Sequence, residues 1–269
     1  MNAIRGAARA RDPVKVTVCE MPDDRLEFDR AWAGLARHVR RESSDLVLLP
    51  EMTFYGWFCS APKFDPMVWK DAVAAHRRWV GRIGEIGAPA VLGSRPVDRG
   101  GRRLNEGFVW TKKGTRAVHH KNYLPNEGGF FEASWYDRGD RTFTPFGVSG
   151  WKAGYMICSD LWAMGGARSY GKRGVGLIAA PRCTPEASTE KWIAGGKVAA
   201  VVSGSYCLSS NRAGSRGGLR FGGRGWAIDP DGRVLGLTSK GRPFVTVEID
   251  QGVARKAKAT YPRKSLEPD

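Results

Sequence analysis

Apolar and polar positions along this chain recur with two different periods, and the alternation between them predicts strands and helices in turn. Val14-Lys-Val-Thr-Val18 alternates and predicts a strand. Asp24, with Glu27 three positions on, opens a helix as a capping pair. Phe28, Trp32, Leu35 and Val39 then recur at helical spacing, so this helix buries one face. Leu46-Val-Leu-Leu49 is a continuous apolar run, as in a strand covered on both sides, and Glu51 follows its end. Trp69, Val73, Val80 and Ile83 predict a second helix, residues 88–97 a strand, and residues 107–111 with 117–121 a hairpin around Lys112-Lys-Gly-Thr115. Further on, the pattern predicts strands at 153–158, 175–181, 205–210 and 244–249 and helices at 161–172 and 187–203. Residues 226–235 form a hairpin on the turn Pro230-Asp-Gly232.

Helices that each need a sheet to cover, and sheets that carry hairpins, imply layers of both kinds in one α/β domain over residues 14–252. Residues 1–13 read as a solvated arm, and residues 253–269, basic and containing proline, as a peripheral tail. No linker, repeat or low-complexity stretch interrupts the domain.

Composition narrows the class. Of 269 residues 42% are hydrophobic and 26% charged, enough for a full core. No apolar run reaches membrane-spanning length, and the arm carries Arg5, Arg9 and Arg11 without an apolar signal region; the cysteine usage, odd in count and without pairing spacing, makes a reducing cytoplasm the expected compartment. The formal charge is +16, from 43 Lys and Arg against 27 Asp and Glu. The basic residues are scattered, with local groups only at 37–41, 99–103 and 255–264, and no aromatic platform or helix-turn-helix pattern accompanies them. A basic soluble surface is therefore expected rather than a nucleic-acid partner. The odd count of five cysteines (Cys19, Cys59, Cys158, Cys183, Cys207), without C-x-x-C or Cys/His spacing, argues against a disulfide framework or a zinc site. Neither metal nor cofactor is expected.

Cys158 has the most distinctive setting. It lies in Gly154-Tyr-Met-Ile-Cys-Ser-Asp-Leu-Trp162, where a predicted strand meets a predicted helix. Backbone N–H groups and the positive end of a helix there favour a thiolate and a developing oxyanion. The ordinary fate of a cysteine is that of a small buried hydrophobe, which suits Cys183 and Cys207. As for a base, His38 and His76 fall on predicted helix surfaces, and His119 and His120 abut a strand end. A Cys–His pair stays open, since such partners meet only in space. Carboxylates and a lysine at strand ends offer a second solution.

Three motifs point to that second solution: Leu48-Leu-Pro-Glu-Met52, His120-Lys-Asn-Tyr-Leu-Pro125 and Gly154-Tyr-Met-Ile-Cys-Ser-Asp160. With them the chain resembles the nitrilase (carbon–nitrogen hydrolase) superfamily. Pro181, Trp192, Asn211-Arg212 and the Gly-x-x-x-Asp-Pro-x-Gly of Gly225 to Gly232 follow in the same order, so the resemblance runs from Val14 to Ile249. Where many members have Pro-Glu and then Arg after the nucleophile, only Arg168 is kept. Gly225 stands where many carry a small polar residue, and Ser159-Asp160 replaces the Trp-Glu usual in true nitrilases.

The resemblance implies a Glu–Lys–Cys triad, carried here by Glu51, Lys121 and Cys158. A second glutamate belongs to such a site: Glu132, after Phe131, is the expected one and Glu127 the alternative. Ser159, Arg182, Cys183 and Tyr55 are the candidate substrate contacts, with Arg182 as a bidentate clamp for a substrate carboxylate. The implied architecture is a four-layer α-β-β-α sandwich, dimerised through the helical layer next to the nucleophile. The implied reaction is hydrolysis of a small-molecule amide or carbamoyl C–N bond by water through a Cys thioester. A nitrilase or an acyl-transferring member is the alternative among enzymes. A basic nucleic-acid-binding protein or an idle scaffold is the alternative outside them.

Overall fold

In the computed structural model, which describes residues 13–265, the periodic segments become two sheets flanked by helices. The expected arm at 1–13 thus lies almost wholly outside the described residues. The first strand, β1 (Val14–Pro22), leads into α1 (Arg25–Glu42). Asp24 caps α1 by accepting the N–H groups of Leu26 and Glu27 at 2.6 and 3.4 Å. Then come β2 (Leu46–Leu48), α2 (Pro66–Val80), β3 (Ala90–Arg99), β4 (Arg102–Thr111), β5 (Gly114–His120) and the single turn α3 (Glu132–Trp135). The second half holds β6 (Phe146–Val148), β7 (Trp151–Tyr155), α4 (Met164–Lys172), β8 (Leu177–Ala179), α5 (Thr189–Ser203) and β9 (Tyr206–Ser209). The chain closes with β10 (Asn211–Arg216), β11 (Leu219–Gly222), β12 (Trp226–Ile228), β13 (Val234–Leu237), β14 (Phe244–Ile249) and α6 (Gln251–Lys258).

One sheet runs β11-β10-β1-β2-β3-β4-β5, with β14 also paired to β1, and the other runs β13-β12-β9-β8-β7-β6. The two pack face to face. Val16, Val18, Leu46, Leu48 and Leu92 from the first meet Ala153, Tyr155, Leu177 and Leu208 from the second. The alternate residues of the first sheet, Cys19, Met21, Val47, Leu49 and Val91, face outward under Phe28, Trp32, Leu35 and Val39 of α1. This explains the continuous apolar run at β2: both its faces are covered. On the far side Ala167 and Tyr170 of α4 and Ala199 and Ala200 of α5 close the second sheet. The layers are therefore α-β-β-α, as expected. Among the described residues no helix is long and apolar enough to cross a membrane.

Several local expectations are corrected. The strand expected at 153–158 ends at Tyr155, and the helix expected from 161 is split: a 3-10 turn over Cys158–Trp162 precedes α4. Cys158 opens that turn with φ of +47°, a left-handed conformation that a strand running directly into an α-helix does not contain. His76 is not on a helix surface. The buried face of α2 is Trp69, Ala72, Ala75 and His76, and His76 Nε2 accepts the N–H of Phe54 at 3.3 Å. The tail expected from residue 253 begins inside α6, whose Ala254 and Ala257 are buried. The β10–β11 hairpin and β6 were not expected from the pattern, because glycine and arginine interrupt the alternation in Asn211–Gly222.

Candidate active site

The candidate site forms where strands of the two sheets end side by side. Three residues beyond β2 the chain turns at Glu51, with Met52 at φ of +49°. The Glu51 N–H donates to the carbonyl of Arg182 at 3.1 Å and the Met52 N–H to Ser94 Oγ at 3.0 Å. Arg212 holds the same turn from below: Nε donates to the Glu51 carbonyl at 3.1 Å, and its other nitrogens to Met52 O and to the buried carboxylate of Asp23. Lys121 follows β5, and its N–H pairs with Asn105 O at 2.9 Å. Cys158 follows β7 by three residues, and its N–H donates to Pro181 O at 2.9 Å, so it is held to the end of β8.

These ends bring four expected residues together. Lys121 Nζ donates to Glu51 Oε1 at 2.7 Å and to Glu132 Oε2 at 2.5 Å. All three side chains are fully buried. Asn105 Nδ2 donates to Glu51 Oε1 at 2.8 Å, and Tyr136 donates its hydroxyl to Glu132 Oε2. The second oxygens, Glu51 Oε2 and Glu132 Oε1, are buried without a hydrogen-bond partner. Such atoms are costly unless a reacting group uses them. Of the two candidate second glutamates, Glu132 joins the cluster, while Glu127 is exposed on a turn bridged to Phe130.

Electrostatics follow from burial. Burial pushes the Cys158 thiol well above its ordinary value, and the negative Glu51 adds to this while Lys121 opposes it. For Lys121, burial disfavours the ammonium, but Glu132, Glu51 and Cys158 outweigh it, and its pKa is raised well above the usual lysine value. Burial also raises the Glu132 carboxyl, against the pull of Lys121 and with a further push from Glu51.

The other expected contacts divide. Ser159 donates its hydroxyl to the Tyr123 carbonyl, which leaves its backbone N–H at the first turn after the thiol. Cys183 enters through its main chain, its carbonyl accepting the Cys158 thiol at 3.8 Å, while its side chain is buried among Met52, Trp57 and Phe221. Tyr55 is half-buried at the edge of this aromatic cluster, tilted against Phe58. The clamp expected of Arg182 does not fit its placement. Its guanidinium is buried and donates to Ser209 Oγ at 2.7 Å, Thr184 Oγ1 at 2.8 Å and Arg224 O at 2.9 Å.

Asp160 is the residue that sequence reasoning left without a role. It is fully buried. Oδ1 accepts the N–H groups of Asn122 and Tyr123, both at 3.0 Å; Oδ2 accepts that of Ile157 at 3.2 Å and His119 Nε2 at 2.8 Å. One carboxylate thus fastens the segment after Lys121 to the turn carrying Cys158. The signal was present, a carboxylate two residues past the thiol in the third motif. For Asn105 there was none, because only the pairing of β2 with β3 and of β3 with β4 brings it to Glu51. Asp160→Asn should destabilise the fold by about 2–3 kcal/mol, since an amide turns a donor toward two of the four N–H groups, whichever oxygen it replaces. Activity should fall with it. Denaturant unfolding checks this, and a midpoint equal to that of the wild type would remove the fastening role.

Fold and site together define a protein with a thiol set beside a buried Glu–Lys–Glu group in an α-β-β-α sandwich. The carbon–nitrogen hydrolase family model matches residues 15–259, and the chain belongs to that family. It is 26% identical over 259 residues to a nitrilase of Pyrococcus abyssi, covering 90% of this chain and 92% of that protein. It is also 26% identical over 223 residues to a glutamine-dependent NAD(+) synthetase of Rhodobacter capsulatus. That match covers 80% of this chain but spans only 39% of the relative's length. The crystal structure of a carbon–nitrogen hydrolase from Helicobacter pylori superposes with a TM-score of 0.83 at 20% identity, over 95% of this chain and 96% of that one.

Proposed function

We propose that the protein hydrolyses the C–N bond of a small-molecule amide or carbamoyl compound through a thioester on Cys158. The observation that carries this is the ammonium of Lys121 held between Glu51 and Glu132, with one oxygen of each glutamate unbonded. Glu51 Oε2 takes the thiol proton as Cys158 attacks the carbonyl carbon, and returns it to the departing amine. Lys121 Nζ and the Ser159 N–H receive the oxyanion; one such donor is worth ~3 kcal/mol of barrier. Water then cleaves the thioester with Glu51 as base, while Glu132, tied to Lys121 and Tyr136, keeps the ammonium aimed. The positive φ at Cys158 turns the thiol out of the strand, and the backbone N–H groups of the 3-10 turn replace the helix dipole expected there.

The glutamine dependence in the name of the Rhodobacter relative favours an amide substrate, because a glutamine side chain is one. The match to the Pyrococcus nitrilase over nearly the whole chain supports nitriles as the second reading. The same reading has two copies meeting through the α4–α5 layer, where Trp162 and Val198 are exposed. Ammonia release from butyramide and from butyronitrile separates the substrates. The amide should be turned over at least about tenfold faster in kcat/KM; release from the nitrile alone would replace the amidase reading with the second.

A further inference from the structure

Arg182 is the side chain left over once the site is assembled. Its guanidinium, 1% exposed, lies 3.9 Å above the ring of Trp226 and 5.8 Å from that of Trp192. Its three hydrogen bonds go to two hydroxyls and a carbonyl, all neutral. No carboxylate of the described residues forms an ion pair with it, whereas the other deeply buried guanidinium, that of Arg212, sits on Asp23. A buried charge without a counter-ion is expensive, and chains retain one where something else answers it.

The site supplies the answer. With both glutamates ionised, Glu51 and Glu132 against Lys121 carry a surplus of one negative charge, and proton transfer from Cys158 to Glu51 moves that surplus without removing it. The main chain at Arg182 bridges Glu51 and Cys158. Its carbonyl accepts the Glu51 N–H at 3.1 Å, and the preceding Pro181 carbonyl accepts the Cys158 N–H at 2.9 Å. We propose that Arg182 is a positioning residue by charge: a buried guanidinium left without a carboxylate so that it balances the negative charge at Cys158 and its oxyanion. The proposal rests on the reading of Cys158 as nucleophile.

The groups facing the guanidinium agree with this. They are Cys183 and Thr184 beside it, Cys158 from the 3-10 turn, Cys207 and Ser209 from β9, Trp192 from α5, Trp226 from β12 and Glu20 from β1. Burial lowers Arg182 to about 9, and the Cys158 sulfur is the first group to act against that loss. Arg182 therefore remains charged at neutral pH. The sign follows: with the cation gone, the thiolate loses stabilisation and the Cys158 thiol rises further.

The test is alkylation of Cys158 by iodoacetamide at pH 8, followed by mass spectrometry in the wild type and in Arg182→Met, Arg182→Gln and Arg182→Lys. Methionine is the neutral replacement that buried charged sites commonly tolerate. Both neutral variants should label at least about threefold more slowly, the equivalent of half a pH unit or more, and Arg182→Lys should stay near the wild-type rate. A folded neutral variant that labels as fast as the wild type would overturn the proposal. So would failure of both neutral variants to fold, since Arg182 would then be a structural tie between β8, β9 and β12. Because alkylation needs no substrate, the two readings fail separately. Unchanged labelling with normal turnover removes Arg182 alone, whereas turnover retained by Cys158→Ala removes the nucleophile.

Discussion

Cys158→Ala should yield a folded protein that turns nothing over. The side chain is small and 4% exposed, and alanine adopts the local φ of +47° no worse than cysteine, so the packing loss is modest. The thioester, however, has no other atom on which to form. Loss of a nucleophile typically removes many decades of rate. Retention of more than about a hundredth of wild-type kcat in a steady-state assay would sink the mechanism. Cys183→Ala and Cys207→Ala are the companions. Both thiols are buried in the core, and Cys183 touches the site only through its carbonyl, so both variants should keep turnover. Loss of activity in either, with normal folding, would mean that the reacting sulfur is another one.

Lys121→Arg should lower kcat by a factor of order a hundred or more while changing substrate affinity little. Lys121 Nζ sits 2.7 and 2.5 Å from two carboxylate oxygens in a fully buried setting. A guanidinium is wider, planar and forked, so it can keep the charge but cannot put a single compact donor at the oxyanion. The oxyanion exists only after attack, so the loss falls on the chemical step rather than on binding. Affinity is measured by calorimetry in a Cys158→Ala background, where no turnover interferes. An unchanged kcat would take Lys121 out of the reaction and leave it as a structural link between Glu51 and Glu132.

Much of the architecture was legible because it rests on local period. The buried face of α1, the doubly covered β2 and the Pro230-Asp-Gly232 hairpin follow from residues within one element of one another. Errors came where a tertiary partner outweighed period. His76 is buried where its ring accepts the Phe54 N–H, and the expected strand-to-helix junction is replaced by a 3-10 turn that Cys158 opens with positive φ. The β10–β11 hairpin carries glycine and arginine where alternation would need apolar residues, since one of its faces meets loops and solvent.

The sequence carried the layer order and the candidate set through its resemblance to the carbon–nitrogen hydrolase family, whose motifs it keeps in order at predicted strand ends. Glu51, Lys121, Glu132 and Cys158 could be named in advance as one group. Only the tertiary structure decided how the rest connects to it. Asp160 faces the segment after Lys121 from 38 positions away, and Asn105 reaches Glu51 from 54, distances along the chain over which no local pattern carries information. Arg182 shows this most sharply. Its residue type suggested a clamp for a substrate carboxylate, but the packing of β8, β9 and β12 closes it inside with neutral partners. Whether a guanidinium meets a ligand or balances a buried field depends on which side chains surround it, and that is settled by packing alone.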